Sequence, residues 1–300
     1  MAKKIRSATI YKLDLPPGKS QSELNEEKFY RHSFTEMRVS GDVILDIKYL
    51  ANGTEDEKQV NTFDESGRLI EKILFMQDNE IAEHKTYEYD EGGKISKVRN
   101  HYADGTCDTI QYKYGSDALP VEKTTFDSDN EVEAQEFFLY DDGKLIETKA
   151  LEFDQQVSRE IIAYDESGRI AGSTKWQQNE ESERHQNIWD EKNRLVKVLT
   201  YNPDEKLIAR LLYSYDDLNR IVGSEYETEK GRVITTVNYD EKGNAIRQIE
   251  TNATGELNHT VARKFNENND VIEARVFINR HGRDVNEEYL LKYEYEYFED

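Results

Sequence analysis

His101 and Cys107 flank Asp104-Gly105, a turn-forming pair, so two strands joined there would set a thiol opposite an imidazole. A Cys–His pair can carry a thiolate nucleophile. That chemistry also needs an oxyanion site and a group that orients the imidazole, and no motif in the chain supplies either. The pair therefore reads as a small and a polar side chain on one sheet face. His32, His84, His185, His259 and His281 show no metal-ligand spacing. Gly92-Gly93-Lys94 begins like a phosphate loop, but its hydroxyl residue is misplaced. Asp127-Ser128-Asp129-Asn130-Glu131 opens like a calcium loop, yet it lacks the central glycine and puts Phe138 where a bidentate Glu belongs. The expectation is a non-enzymatic chain with no catalytic, cofactor-binding or metal residues and no cofactor.

Composition narrows the partners. The chain has 300 residues, 62 acidic against 40 basic, for a net charge of −22. Phosphate backbones and anionic membranes both require clustered Lys and Arg, so no nucleic-acid or membrane partner is expected. No stretch approaches the roughly 20 apolar residues of a membrane-spanning helix. Lys3 and Lys4 are not followed by the apolar run of a secretory leader. A single cysteine cannot form an internal disulfide. The default location is cytoplasmic, with export by a leaderless route left open.

The elements that must position these residues come from a repeat. An aromatic followed by Asp recurs at Phe63, Tyr89, Tyr140, Tyr164, Trp189, Tyr215 and Tyr239, with Phe265-Asn266 and the irregular Tyr114-Gly115 in the same frame. Successive starts lie 24 to 26 residues apart. Four residues after the aromatic stands Gly67, Gly93, Gly168, Asn193, Asn219, Gly243 or Asn269. Gly and Asn tolerate a left-handed backbone, and a preceding Asp accepts hydrogen bonds from the turn's own amides. Asp-x-x-Gly/Asn is thus a type I turn closing into a left-handed bulge, and Asp142-Gly143 fits the tighter two-residue turn. A second turn falls midway through most repeats, at Asn52-Gly53, Asp104-Gly105, Asn202-Pro203-Asp204, Lys230-Gly231, Thr254-Gly255 and His281-Gly282.

Between turns the alternation has period two, as in Val233, Thr235, Val237 and Tyr239 against Ile234, Thr236 and Asn238. The aromatic and aliphatic side should be buried and the charged side wet. The predicted fold is all-β: an antiparallel meander of about 20 strands, two to each ~25-residue repeat, in a curved or spiralling sheet, because open sheets rarely exceed ~10 strands without curling. Residues 31–300 form the array. Residues 1–30 lack the motif and read as an N-terminal cap or arm, with a breaker at Pro16 to Ser20 and a capped helical turn at Ser22 to Lys28.

Tyr87-Glu88-Tyr89-Asp90-Glu91-Gly92-Gly93-Lys94-Ile95 and Tyr213-Ser214-Tyr215-Asp216-Asp217-Leu218-Asn219-Arg220-Ile221 carry the pattern most fully. This pattern resembles the YD repeat of the Rhs and teneurin families, over nearly the whole chain beyond residue 37. The resemblance implies a β-sheet spiralling into a hollow shell that often encloses a toxin. The period here is slightly longer, and the proline-rich Asp-Pro segment that closes an Rhs shell is absent, so a stand-alone array without a toxin domain is expected.

The expected function is a β-repeat binding or scaffold protein, bacterial and toxin- or secretion-associated, acting as an immunity or chaperone-like partner. Its partner would be another protein, and the acidic field favours a basic one. The alternative is a secreted or surface carbohydrate-binding module using Trp176 or Trp189. The turn assignment makes the first prediction. Gly168→Val forces a β-branched residue into a left-handed backbone and should cost roughly 1–2 kcal/mol. Glu166→Val, in the same turn at a permissive position, should cost much less in denaturant melts; equal losses would refute the turn type.

Overall fold

A computed structural model describes residues 3–15, 29–279 and 286–299. The predicted breaker at 16–20, the helical turn at 22–28 and the turn at His281-Gly282 lie outside them. The strands are β1 (Ile5–Asp14), β2 (Tyr30–Met37), β3 (Val43–Tyr49), β4 (Glu55–Phe63), β5 (Leu69–Phe75) and β6 (Ile81–Tyr89). Next come β7 (Ile95–His101), β8 (Cys107–Tyr114), β9 (Pro120–Phe126), β10 (Val132–Asp141), β11 (Lys144–Glu152) and β12 (Gln155–Tyr164). β13 (Ile170–Gln177), β14 (Glu180–Trp189), β15 (Leu195–Tyr201), β16 (Leu207–Tyr215) and β17 (Ile221–Thr228) follow. The last are β18 (Gly231–Tyr239), β19 (Ala245–Asn252), β20 (Leu257–Phe265), β21 (Val271–Ile278) and β22 (Glu287–Tyr297).

Each strand pairs antiparallel with the next, and β1 pairs with both β2 and β22. The sheet is therefore a closed 22-stranded barrel, which corrects the expected curved or spiralling meander. Residues 5–14, set apart in the sequence by their missing motif, supply the strand that closes it. Closure pairs both edges that an open meander would leave as unmatched rows of amides and carbonyls. At ordinary strand spacing and tilt, 22 strands close on a backbone diameter of roughly 40–45 Å.

All seven predicted left-handed turn positions have positive φ, from Asn193 at 60° to Gly243 at 87°. Asp142 and Gly143 adopt φ of 47° and 72°, the tight turn expected of that pair. The turns at Asp64, Asp90, Asp165, Asp190, Asp216 and Asp240 lie on one rim, here the repeat-turn rim. The intervening turns form the mid-repeat rim.

The barrel is hollow. Its accessible surface is 19259 Å², against about 13,000 Å² for a compact monomer of this mass. Among the described residues no large side chain is fully buried. The expected burial of the aromatic side is thus corrected to half-burial, because a single-layer wall has no second layer to cover it. Cross-strand registers put Tyr89, Lys85 and Lys72 on one side, the aromatic face, together with Glu136 and Lys123, Glu160 and Lys175. Arg99, Arg159, Arg184, Arg210 and Glu225 project from the opposite face. Both walls carry charge at mid-strand, so neither offers the uninterrupted apolar band of a lipid-facing barrel.

Among the described residues, the one buried apolar cluster sits at the closing seam: Leu13, Leu15 and Leu290, with Phe29 against them. Backbone bonds extend the β1–β22 ladder at both ends, from Leu15 N to Glu288 O (2.8 Å) and from Phe298 N to Lys4 O (2.9 Å). Leu290→Ala should cost about 2–3 kcal/mol. Leu207→Ala, at a 45% exposed position, should change stability by less than about 1 kcal/mol. Equal shifts in urea midpoints would show that the seam is not the packed part of the wall.

Candidate functional site

The most regular chemistry in the molecule runs around the repeat-turn rim. In each turn the aspartate Oδ1 accepts backbone N–H bonds, as Asp216 does from Leu218 and Arg220 (both 2.9 Å). In four of the turns Oδ2 also accepts from the arginine four residues on: Arg68 to Asp64 (2.8 Å), Arg169 to Asp165, Arg194 to Asp190 and Arg220 to Asp216 (each 2.7 Å). Those amide bonds, with the arginine, hold the Asp165, Asp190 and Asp216 carboxyls below the usual carboxylate range.

The arginine then reaches the next repeat. Its guanidinium lies over the following aromatic ring, at 4.8 Å for Arg68 on Tyr89, 4.7 Å for Arg194 on Tyr215 and 4.5 Å for Arg220 on Tyr239. Lys94 and Lys144 do the same for Tyr114 and Tyr164. The tyrosine in turn donates its hydroxyl back to the preceding repeat. Tyr89 bonds Leu69 O (2.7 Å), Tyr114 Ile95 O (2.8 Å), Tyr164 Leu145 O (2.9 Å), Tyr215 Leu195 O (2.7 Å) and Tyr239 Ile221 O (2.8 Å). Each acceptor precedes a bulge. Phe63 faces Leu69 while Thr62 faces Glu71, which leaves Ile70 extra in the ladder. A bulge frees backbone groups that need another partner.

Where the aromatic has no hydroxyl, a neighbour two residues earlier takes over. Asn61 beside Phe63 donates to Val43 O (2.8 Å), and Arg263 beside Phe265 donates to Ala245 O (3.4 Å). Trp189 uses its indole N–H on Ile170 O (3.0 Å). At the seam Tyr295 donates to Val271 O (2.7 Å), and burial pushes its phenol up to about 12.

The reactive candidates fall elsewhere. His101 stands directly opposite Cys107 across β7–β8, as the hairpin reading required. The thiol, however, points to its neighbour's carbonyl, Asp108 O, at 3.3 Å. His101 instead meets His84 from the adjacent strand, with ring centroids 4.5 Å apart. His84 Nε2 lies 3.0 Å from Glu71 and His101 Nε2 lies 2.9 Å from Thr86. Burial and the neighbouring His84 lower the His101 pKa. The sequence did not pair His84 with His101, since strand register alone brings them together. Among the described residues no three His, Cys, Asp or Glu side chains converge to hold a metal. Asp127 Oδ1 accepts from Asp129 N (3.0 Å) and Glu131 N (2.8 Å), a turn role for the calcium-like cluster. Gly93 has φ of 80°, a repeat turn as read.

Trp176 and Trp189 lie on opposite faces of the wall. Trp176 pairs across from Arg159, whose guanidinium covers it at 5.4 Å, whereas Trp189 joins the aromatic face. They cannot form one sugar platform. A surface depression of about 550 Å³ is an open groove on the opposite face, lined by Ile161, Thr174, Arg184, Gln186 and Tyr201.

No family model matches the chain, and no curated protein does. Several solved structures align over most of it. One is the complex titled TcdB2-TccC3-Cdc42, at 12% identity and a TM-score of 0.46, covering 85% of this chain and 15% of that one. Another is TcdB2-TccC3, at 12% and 0.31, covering 88% and 20%. A porin-like protein from Bacteroides uniformis aligns at 9% and 0.30, covering 99% and 98%. The chain thus spans about a fifth or less of the toxin-complex chains and the full length of the porin-like one. These likenesses are too distant to carry function.

Two outcomes follow from the rim. Tyr215→Phe removes one hydroxyl bond while keeping the ring under Arg194, and should cost about 1 kcal/mol. Arg194→Ala should cost more, because it frees both Asp190 and the ring. Since the turn aspartates titrate below their ordinary 3.8 in the folded state, their contribution is fully present above that value and is lost as pH falls through the lowered one. The melting temperature should stay level from about pH 7 to 5 and drop below about pH 4. A drop beginning near pH 6 would instead point to the histidines.

Proposed function

We propose that this chain is a non-enzymatic barrel scaffold that binds another protein, acting as an immunity or chaperone-like partner in a bacterial toxin- or secretion-associated setting. The observation that carries the binding reading is the hollow closed wall, charged on both faces, which presents far more accessible surface than a compact protein of its mass. A surface of that extent suits a large partner better than a small ligand held in an enclosed pocket. The YD-like turns are what support the toxin- or secretion-associated setting. The excess of acid over base favours a basic partner, and a cytoplasmic location is the corresponding proposal.

Steering by charge can be tested apart from folding. Asp216 and Glu225 are unsuitable for this, because Asp216 holds its turn and Arg220, and Glu225 pairs with Arg210 and Arg232. Glu91, Glu166, Glu191, Asp217 and Glu241 occupy exposed turn positions without an ion pair among the described residues. Replacing these five by Gln or Asn should slow association with a partner fixed by cross-linking and purified, leaving k_off nearly unchanged. Raising salt several-fold should slow k_on by roughly tenfold. A neutral or acidic partner, or a k_on indifferent to salt, would remove the electrostatic basis of the reading.

A further inference from the structure

We propose that one arc of the mid-repeat rim, spanning the turns from β5 to β12, is the docking surface for a basic amphipathic polypeptide segment. This deepens the scaffold reading and rests on it. Four consecutive mid-repeat turns each expose large apolar side chains: Met76 (41%) and Ile81 (50%), then Tyr102 (49%), Val132 (41%) and Phe153 (72%). Single exposed apolar residues need no explanation, but a row of them along one edge marks an interaction surface.

Phe153 is placed against local preference. Phe153 and Asp154 form a two-residue turn with φ of 46° and 63°. The same geometry on the other rim is built from Asp142 and Gly143, the kind of pair such a turn favours. A bulky aromatic in the left-handed region is an outlier that the turn itself does not require. Its ring is the most exposed large apolar group among the described residues. Tyr102 is an aromatic of the opposite kind, held in place: its hydroxyl donates to Asp108, which pushes the phenol up to about 12. One strained and one pinned aromatic give the arc rigid anchors.

Charge decides what the arc would take. No Lys or Arg occurs between Arg99 and Lys113, between Lys123 and Lys144, or between Lys149 and Arg159. The acids of these turns, among them Asp78, Asp129, Glu131 and Asp154, form no ion pair among the described residues. On the repeat-turn rim, by contrast, the turns at Asp64, Asp90, Asp165, Asp190 and Asp216 each supply their own arginine or lysine to the aspartate or to the next ring. The arc therefore offers apolar anchors among unneutralised carboxylates. The complement is a segment carrying Lys or Arg interleaved with apolar side chains.

Fluorescence anisotropy with a labelled 20-residue peptide of Lys and Leu, and with its Glu-for-Lys counterpart, tests this on the full chain. Phe153→Asn places a residue suited to the turn, so the variant should melt at or above the parent temperature while binding the basic peptide about tenfold or more weakly. Leu218→Asn, equally exposed on the repeat-turn rim, should leave binding unchanged, and the acidic peptide should not bind. If Phe153→Asn binds normally and Leu218→Asn does not, the arc is the wrong surface while the scaffold reading stands. If neither peptide binds at millimolar concentration, the proposed partner chemistry is overturned. If light scattering shows a dimer that Phe153→Asn dissolves, the arc binds a second copy of this chain and the proposal fails. The scaffold reading is judged separately, by the cross-linked partner and the salt dependence of its k_on.

Discussion

The structure depends on a carboxylate doing two things at once. In the repeat turns one aspartate oxygen accepts the amides that close the turn, and at Asp64, Asp165, Asp190 and Asp216 the other holds an arginine against the next ring. The ring's hydroxyl then satisfies a carbonyl left over by the bulge in the previous repeat. Local turn chemistry is thereby converted into a contact between repeats. A wall one sheet thick needs such contacts, because it has no facing layer of side chains to hold neighbouring hairpins in register. The same logic explains Asn61 and Arg263, which make the bond where phenylalanine cannot.

Closure supplies the other half of the stability. Exposed ion pairs such as Lys48–Glu57 contribute little each, so most of the cohesion comes from the continuous backbone ladder. That ladder has no free edge only because β1 fits between β2 and β22, and the buried leucines gather at that junction. The barrel's polar walls follow from hollowness: each face meets water, so charge is tolerated on both. The acidity is distributed unevenly. Asp216, which holds its turn, is paired with Arg220, whereas Glu166 and Glu191 stand on exposed turns without an ion pair among the described residues.

Much of this was legible in the residues. The 24- to 26-residue spacing, the Asp-x-x-Gly/Asn turns and the two-residue turn at Asp142-Gly143 all depend on local backbone preference, which a sequence displays directly. The closure did not show, because residues 5–14 bear no repeat motif and their pairing with β22 joins residues nearly 300 apart. The duty of the tyrosine hydroxyls was equally hidden, since it depends on a bulge that only the register reveals. Trp176 and Trp189 were alternative candidates for a sugar contact, and strand parity puts them on opposite faces. His84 meets His101 through pairing of β6 with β7, and nothing in their separation announces it. Phe153-Asp154 escaped notice as a turn because its first residue is one that such turns normally avoid.

The central claim is that the chain closes on itself through β1 and β22. Thr9 and Glu294 face each other across that seam, within the range that a disulfide spans between paired antiparallel strands. With Cys107→Ser removing the native thiol, the double variant Thr9→Cys, Glu294→Cys should form an intramolecular disulfide under mild oxidation in dilute monomer. The linked chain should elute unchanged in size and unfold at a higher denaturant concentration. A monomer whose thiols stay free, or that links only between molecules, would contradict closure and return the sheet to an open form.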